Sequence, residues 1–232
     1  MVVDYPFYKK FHFNRAATQQ YIISYFNAVN FCLNLLSDPG IELSIAGIVI
    51  SSSSHSLPYI QQSTTSLGMV DSPSALHAMG QYYYQHRPGL PVHDMVVTIT
   101  ARDLAARRNG RIDSTTTGYA YVGGACIRNI RLRKINSVAI VEDSGGYSGV
   151  VTTAHEIGHL LGAVHDGDSA PSYLKGPGAK KCLWSEGFIM SDNRRTAKGL
   201  LWSSCSINQK QHFLKTKTDS CLANYPRLVS II

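Results

Sequence analysis

The chain has 232 residues, 44% of them hydrophobic, and 22 Lys and Arg against 15 Asp and Glu give it a formal charge of +7. That length and composition suit one large domain with a real core, and no run of eighteen apolar residues offers a membrane-spanning helix. The basic residues are scattered and lack interleaved aromatics, which excludes a nucleic-acid module and leaves a polyanion contact through the basic surface as the most that the charge suggests.

The opening Met1 to Tyr5 lacks the pattern of a signal peptide, and Val2 to Tyr5 reads as a short buried strand. Ala16 to Leu36 follows with apolar residues at Ile22, Tyr25, Phe26, Val29, Leu33 and Leu36, the spacing of an amphipathic helix. Asp38-Pro39-Gly40 ends it, and Ile41 to Ser51 has the isoleucine and valine content of a central strand. A serine-rich loop over 51–66 leads to a helix over Ser72 to His86, which Pro88-Gly89 breaks before the apolar strand His93 to Thr100. Strand and helix alternate, which predicts a largely parallel sheet with crossover helices. Gly118 to Gly123 alternates between glycine boundaries as an edge strand should, and Ser137 to Val141 supplies one more strand. An open edge can take an extended peptide as an added strand, so a protein or peptide substrate is expected along 118–123.

The next stretch carries the chemistry. Residues 155 to 166 read HExxHxxGxxHD. On a helix, residues four apart share a face, so His155 and His159 can aim two imidazoles at one metal while Glu156 stands beside it as a general base. Catalytic zinc takes three protein ligands and keeps a position for water. Gly162 can adopt a left-handed backbone, ending the helix so that His165 returns as the third ligand. Beyond His165 regular pattern fades until a final helix over Ser206 to Thr216.

This motif resembles that of the metzincin zinc endopeptidases, and Asp166 directly after the third histidine is similar to the adamalysin, or reprolysin, branch of ADAM-type proteases and venom or salivary toxins. The resemblance implies an α/β fold, with a mixed, mostly parallel twisted five-stranded sheet and flanking helices. The zinc cleft then lies between a large N-terminal subdomain (about 1–165) and a small irregular C-terminal one (166–232) of a single monomeric catalytic domain. It further implies a secreted, extracellular endopeptidase, freed of signal peptide and propeptide, that cuts peptide bonds with a zinc-activated water and Glu156 as base. Phe188-Ile189-Met190-Ser191 resembles the family's Met-turn, with Met190 as an apolar floor beneath the zinc ligands; Phe188 stands where many venom members have a cysteine. Asp166 is assigned a structural hydrogen bond to backbone near that turn.

Five cysteines suggest two disulfides and one thiol, and the sequence by itself leaves the pairing open. The resemblance pairs Cys126 with Cys221 and Cys182 with Cys205, leaving Cys32 on the apolar stripe of the first long helix. It also implies a calcium site formed by Asp94, the carbonyl of Cys221 and Asn224, with the family's further acidic ligand falling upstream of Met1.

Overall fold

The computed structural model describes residues 1–36, 39–86, 89–108, 111–191, 193, 197–216, 221–223 and 230–231. In chain order it has β1 (Val2–Val3), α1 (Tyr5–Lys10), α2 (Arg15–Asn34), β2 (Gly47–Ile50), α3 (Pro58–Gln61), β3 (Val70–Asp71), α4 (Ser72–His86) and β4 (Val96–Thr100). There follow β5 (Leu104–Arg108), β6 (Arg111–Asp113), β7 (Gly118–Ala120), β8 (Arg128–Asn129), β9 (Lys134–Ile135), β10 (Val138–Glu142), α5 (Val150–Leu160), α6 (Ser204–Thr216) and β11 (Ser230–Ile231).

Five strands make the expected mixed sheet in the order β2-β1-β4-β10-β7, parallel except for β7, which runs antiparallel to β10. β11 adds a sixth strand beside β2. The pleat sorts side chains between two cores. Val3, Val97, Ile99, Ala139 and Val141 face α2 and α5, whereas Val2, Val96, Val138 and Ile140 face α3 and α4. A small third cluster of Val164, Ala179, Cys182 and Cys205 holds the segment after α5.

Several boundaries differ from the sequence expectation. α1 was not foreseen, although Asp4 caps it by accepting from the Phe7 amide at 2.8 Å and Pro6 occupies its first turn. The second strand shrinks to Gly47–Ile50, because Leu43 is drawn instead to the Asn30 side chain, which accepts from its amide at 3.0 Å. The edge strand stops at Ala120. Beyond it Gly123, at φ +67°, turns the chain so that the amides of Gly123 and Ala125 reach the His159 and Leu160 carbonyls.

Both implied disulfides are present, Cys126–Cys221 and Cys182–Cys205, and Cys32 is buried and free. The first closes a sequence separation of 95 residues, worth roughly 4 to 5 kcal/mol in the chain-entropy account.

Trp202 ties α2 to α5. Its indole donates to the Cys32 carbonyl of α2 at 2.7 Å, and its ring lies under Gly158 of α5, where an added Cβ would come within 2.8 Å of it. Trp202→Ala should therefore cost about 3 to 5 kcal/mol in urea unfolding; a loss below about 1 kcal/mol would show that this ring does not brace the two helices.

Candidate metal centre

α5 is buried along its whole length apart from Val151 and the margin at Val150, so it runs through the protein instead of lying on its surface. It stops at Leu160. Gly162 has φ +92°, and its amide returns to the His159 carbonyl at 2.9 Å while Ala163 returns to that of Gly158 at 3.0 Å. A Cβ on Gly162 would stand 2.8 Å from that of Phe213 in α6, so glycine is required here by backbone angle and by close packing alike.

The turn carries His165 back to the helix. Its Nε2 lies 3.2 Å from Nε2 of His155 and 3.2 Å from Nε2 of His159. The other nitrogen of each helix histidine faces a backbone carbonyl, His155 Nδ1 to Ile189 O at 2.7 Å and His159 Nδ1 to Ala163 O at 2.8 Å. A carbonyl can only accept, so both Nδ1 atoms carry a proton, and in the neutral imidazoles that bind a metal both Nε2 atoms present bare lone pairs. Lone pairs converging at this distance repel one another unless a cation lies between them. Tetrahedral zinc with Zn–N near 2.0 to 2.1 Å separates its nitrogens by about 3.3 to 3.4 Å, so the trio fits zinc. On the far side of His165, Asp168 Oδ2 stands 3.7 Å from Nδ1. Among the described residues this is the one trio of potential ligands that could hold a metal ion.

The surroundings bring most of the expected residues together. Glu156 is buried, and its carboxylate lies under the edge strand: a Cβ on Gly118 would meet Glu156 Oε1 at 2.5 Å and Thr152 Cγ2 at 2.6 Å. Met190 is fully buried, with its sulfur beneath Gly158, so the turn 188–191 forms a floor under α5 and also presents the Ile189 carbonyl to His155. Asp166 joins that turn through its amide, which donates to Met190 O at 3.0 Å. Its carboxylate goes elsewhere, accepting from Ser203 Oγ at 2.6 Å, and burial pushes its pKa up. The expected link to the Met-turn is thus a backbone one, and the side chain fastens the start of α6.

Sequence reading missed four contributors. Gly118 gives Glu156 its space, Trp202 and Gly158 mate beneath the ligands, and Trp184 sets its ring edge-on to His165 with centroids 5.7 Å apart while 40% exposed. Their spacing carries no short-range signal, though a tryptophan six residues before the Met-turn methionine was a visible hint.

The implied calcium set is not assembled among the described residues. Asp94 and Cys221 border one cavity of about 60 Å³, but Arg128 and His93 line it too, and a nearby guanidinium opposes a divalent cation; Asn224 lies outside the described residues.

Gly118→Ala should displace the Glu156 carboxylate without touching a histidine. Peptide hydrolysis should fall at least about tenfold, toward the range lost with a misplaced general base, with zinc content unchanged. Unaltered hydrolysis would mean that the glycine does not position Glu156.

Comparison with known proteins agrees with this geometry. Residues 19–166 match the family described as Metallo-peptidase family M12B Reprolysin-like. The chain is 48% identical over 228 residues, 97% of its length, to a protein of Bombyx mori named "A disintegrin and metalloproteinase with thrombospondin motifs like", of which it spans 33%. It is 30% identical over 233 residues to a venom metalloproteinase of the antarease-like kind from Tityus serrulatus, covering 96% of this chain and 94% of that one. It is 28% identical to Venom metalloproteinase 3 of Eulophus pennicornis, covering 96% of this chain and half of that protein. A family match across both the sheet and the histidine motif, with close identity over nearly all of the chain, makes this protein a member of the reprolysin-like M12B family of zinc metalloendopeptidases.

Proposed function

We propose that residues 1–232 form one catalytic domain, about 1–165 above the cleft and 166–232 below it, of a secreted zinc endopeptidase in which Glu156 is the general base. The observation that carries this reading is the convergence of three Nε2 atoms, two of them fixed by carbonyls, next in sequence to a buried carboxylate that lies under an open edge strand.

Zinc held by His155, His159 and His165 would polarise a peptide carbonyl and lower the pKa of a water to roughly 7. Glu156 accepts the proton of the attacking water as its oxygen bonds to the carbonyl carbon, and hands that proton to the amine nitrogen as the C–N bond breaks. Water is the only co-reactant. The burial of Glu156 favours passing the proton between substrate and carboxylate over losing it to solvent.

The edge strand supports substrate capture. The Glu142 amide donates to Thr117 O at 2.8 Å, and an antiparallel ladder alternates, so Thr117 and Tyr119 face β10 while the backbone groups of Gly118 and Ala120 face outward. An extended peptide pairing there is held by its backbone, largely irrespective of side chain. Secretion is supported by the two disulfides, which persist in oxidising compartments, and by relatives that are venom proteins by name. No helix among the described residues is long and apolar enough to cross a membrane.

Two variants separate the roles. Glu156→Ala should keep zinc at wild-type stoichiometry and lose at least about 10² to 10⁴-fold in peptide hydrolysis, whereas His159→Ala should lose zinc and activity together. A Glu156→Ala protein with near wild-type turnover, or one as poor in zinc as His159→Ala, would overturn the assignment.

A further inference from the structure

The β8–β9 hairpin, between the edge strand and β10, plays no part in the proposed chemistry. Its tip exposes Ile130 at 73% and Leu132 at 51%, interleaved with Arg131 and Arg133 and preceded by Arg128, all exposed. No acidic residue occurs between Asp113 and Glu142. The hairpin has internal hydrogen bonds: the Leu132 amide donates to Asn129 Oδ1 at 2.8 Å, that of Arg133 to Ile130 O at 3.2 Å, and that of Asn136 to Ile127 O at 2.9 Å. Arg128 lies over the Tyr84 ring at 4.7 Å, and the buried Lys134 is turned onto Tyr121, so the outward charge belongs to the arginines.

A solvated hairpin gains nothing by presenting two branched aliphatics at its tip. A sulfated glycan would satisfy the guanidiniums but leave Ile130 and Leu132 in water. An anionic bilayer satisfies both, because phosphates accept paired hydrogen bonds from arginine while short aliphatics enter the boundary between headgroup and acyl chain. We propose that this hairpin is a docking tip for anionic lipid bilayers. Its base is fixed to the metal helix, through Gly123 N–H to His159 O at 2.7 Å and Ala125 N–H to Leu160 O at 3.0 Å, and the Cys126–Cys221 disulfide lies beside it. Docking by the tip would therefore present the cleft to the membrane in one orientation. This surface function stands apart from the proteolytic reading and neither needs nor alters it.

The test is co-sedimentation of the full chain with vesicles of phosphatidylcholine alone, or of phosphatidylcholine with phosphatidylserine, beside a heparin column. Binding is expected to the phosphatidylserine vesicles alone, weakening with salt. Each basic residue at an anionic surface is worth roughly fivefold, so Arg131→Gln with Arg133→Gln should weaken binding about 25-fold. Ile130→Ser with Leu132→Ser should weaken it at least about tenfold, and hydrolysis of a soluble peptide by both double variants should match wild type. Wild-type protein that stays in solution with phosphatidylserine vesicles would overturn the proposal without any variant. So would equal binding to both vesicle types, or vesicle binding indifferent to the serine substitutions beside heparin retention lost with the arginines, which is the pattern of a glycan site.

Discussion

The metal centre depends on two carbonyl oxygens. Ile189 O and Ala163 O, each accepting an Nδ1 proton at under 3 Å, decide which nitrogen of His155 and His159 is left with a lone pair. The helix brings the two rings to one face, but a histidine ring can rotate and change tautomer. The carbonyls remove both freedoms, and the result is a set of donors arranged before any ion arrives. Preorganisation of this kind spares the binding step the cost of ordering the ligands.

Each carbonyl is itself held. Ala163 lies in the turn made by Gly162, whose positive φ and contact with Phe213 admit no side chain. Ile189 belongs to the turn at Met190, where the Ile189 amide bonds to Leu201 O and Ser191 Oγ bonds to Trp184 O. Asp166 binds this turn to α6 by its amide on Met190 O and its carboxylate on Ser203. Trp202 then joins the turn, α5 and α2 through one ring and one indole hydrogen bond. The Cys182–Cys205 disulfide fastens the same region where regular secondary structure is sparse. The segment after α5 is thus kept in place by discrete tethers, and the elements before it by a sheet with a core on each face.

What was legible in the sequence followed from the range of the interactions. The histidine motif could be read because its ligands lie within eleven positions and its geometry is that of one helix and one turn. The parallel sheet could be read from alternation. α1 was legible but overlooked, since Asp4 followed by Pro6 is a helix start in its own right. The β5–β6 hairpin was not, because its strands lack apolar alternation and pair mainly with each other. Gly118 and Trp202 act across long separations, through the space one leaves and the space the other fills, and neither leaves a local pattern. The edge strand ends three residues short of its expected bound because Val122 and Gly123 belong by composition to a strand, but the Gly123 amide is drawn to the His159 carbonyl of α5.

The carbonyl-fixed arrangement of the histidines is tested most directly by long-range proton–nitrogen NMR on isotopically labelled histidines of the zinc-loaded protein. It predicts that His155 and His159 carry slowly exchanging Nδ1 protons while the Nε2 resonances of His155, His159 and His165 show the shift of metal ligation. Metal-shifted Nδ1 resonances on either helix histidine, or protons on their Nε2 atoms with zinc bound, would contradict it.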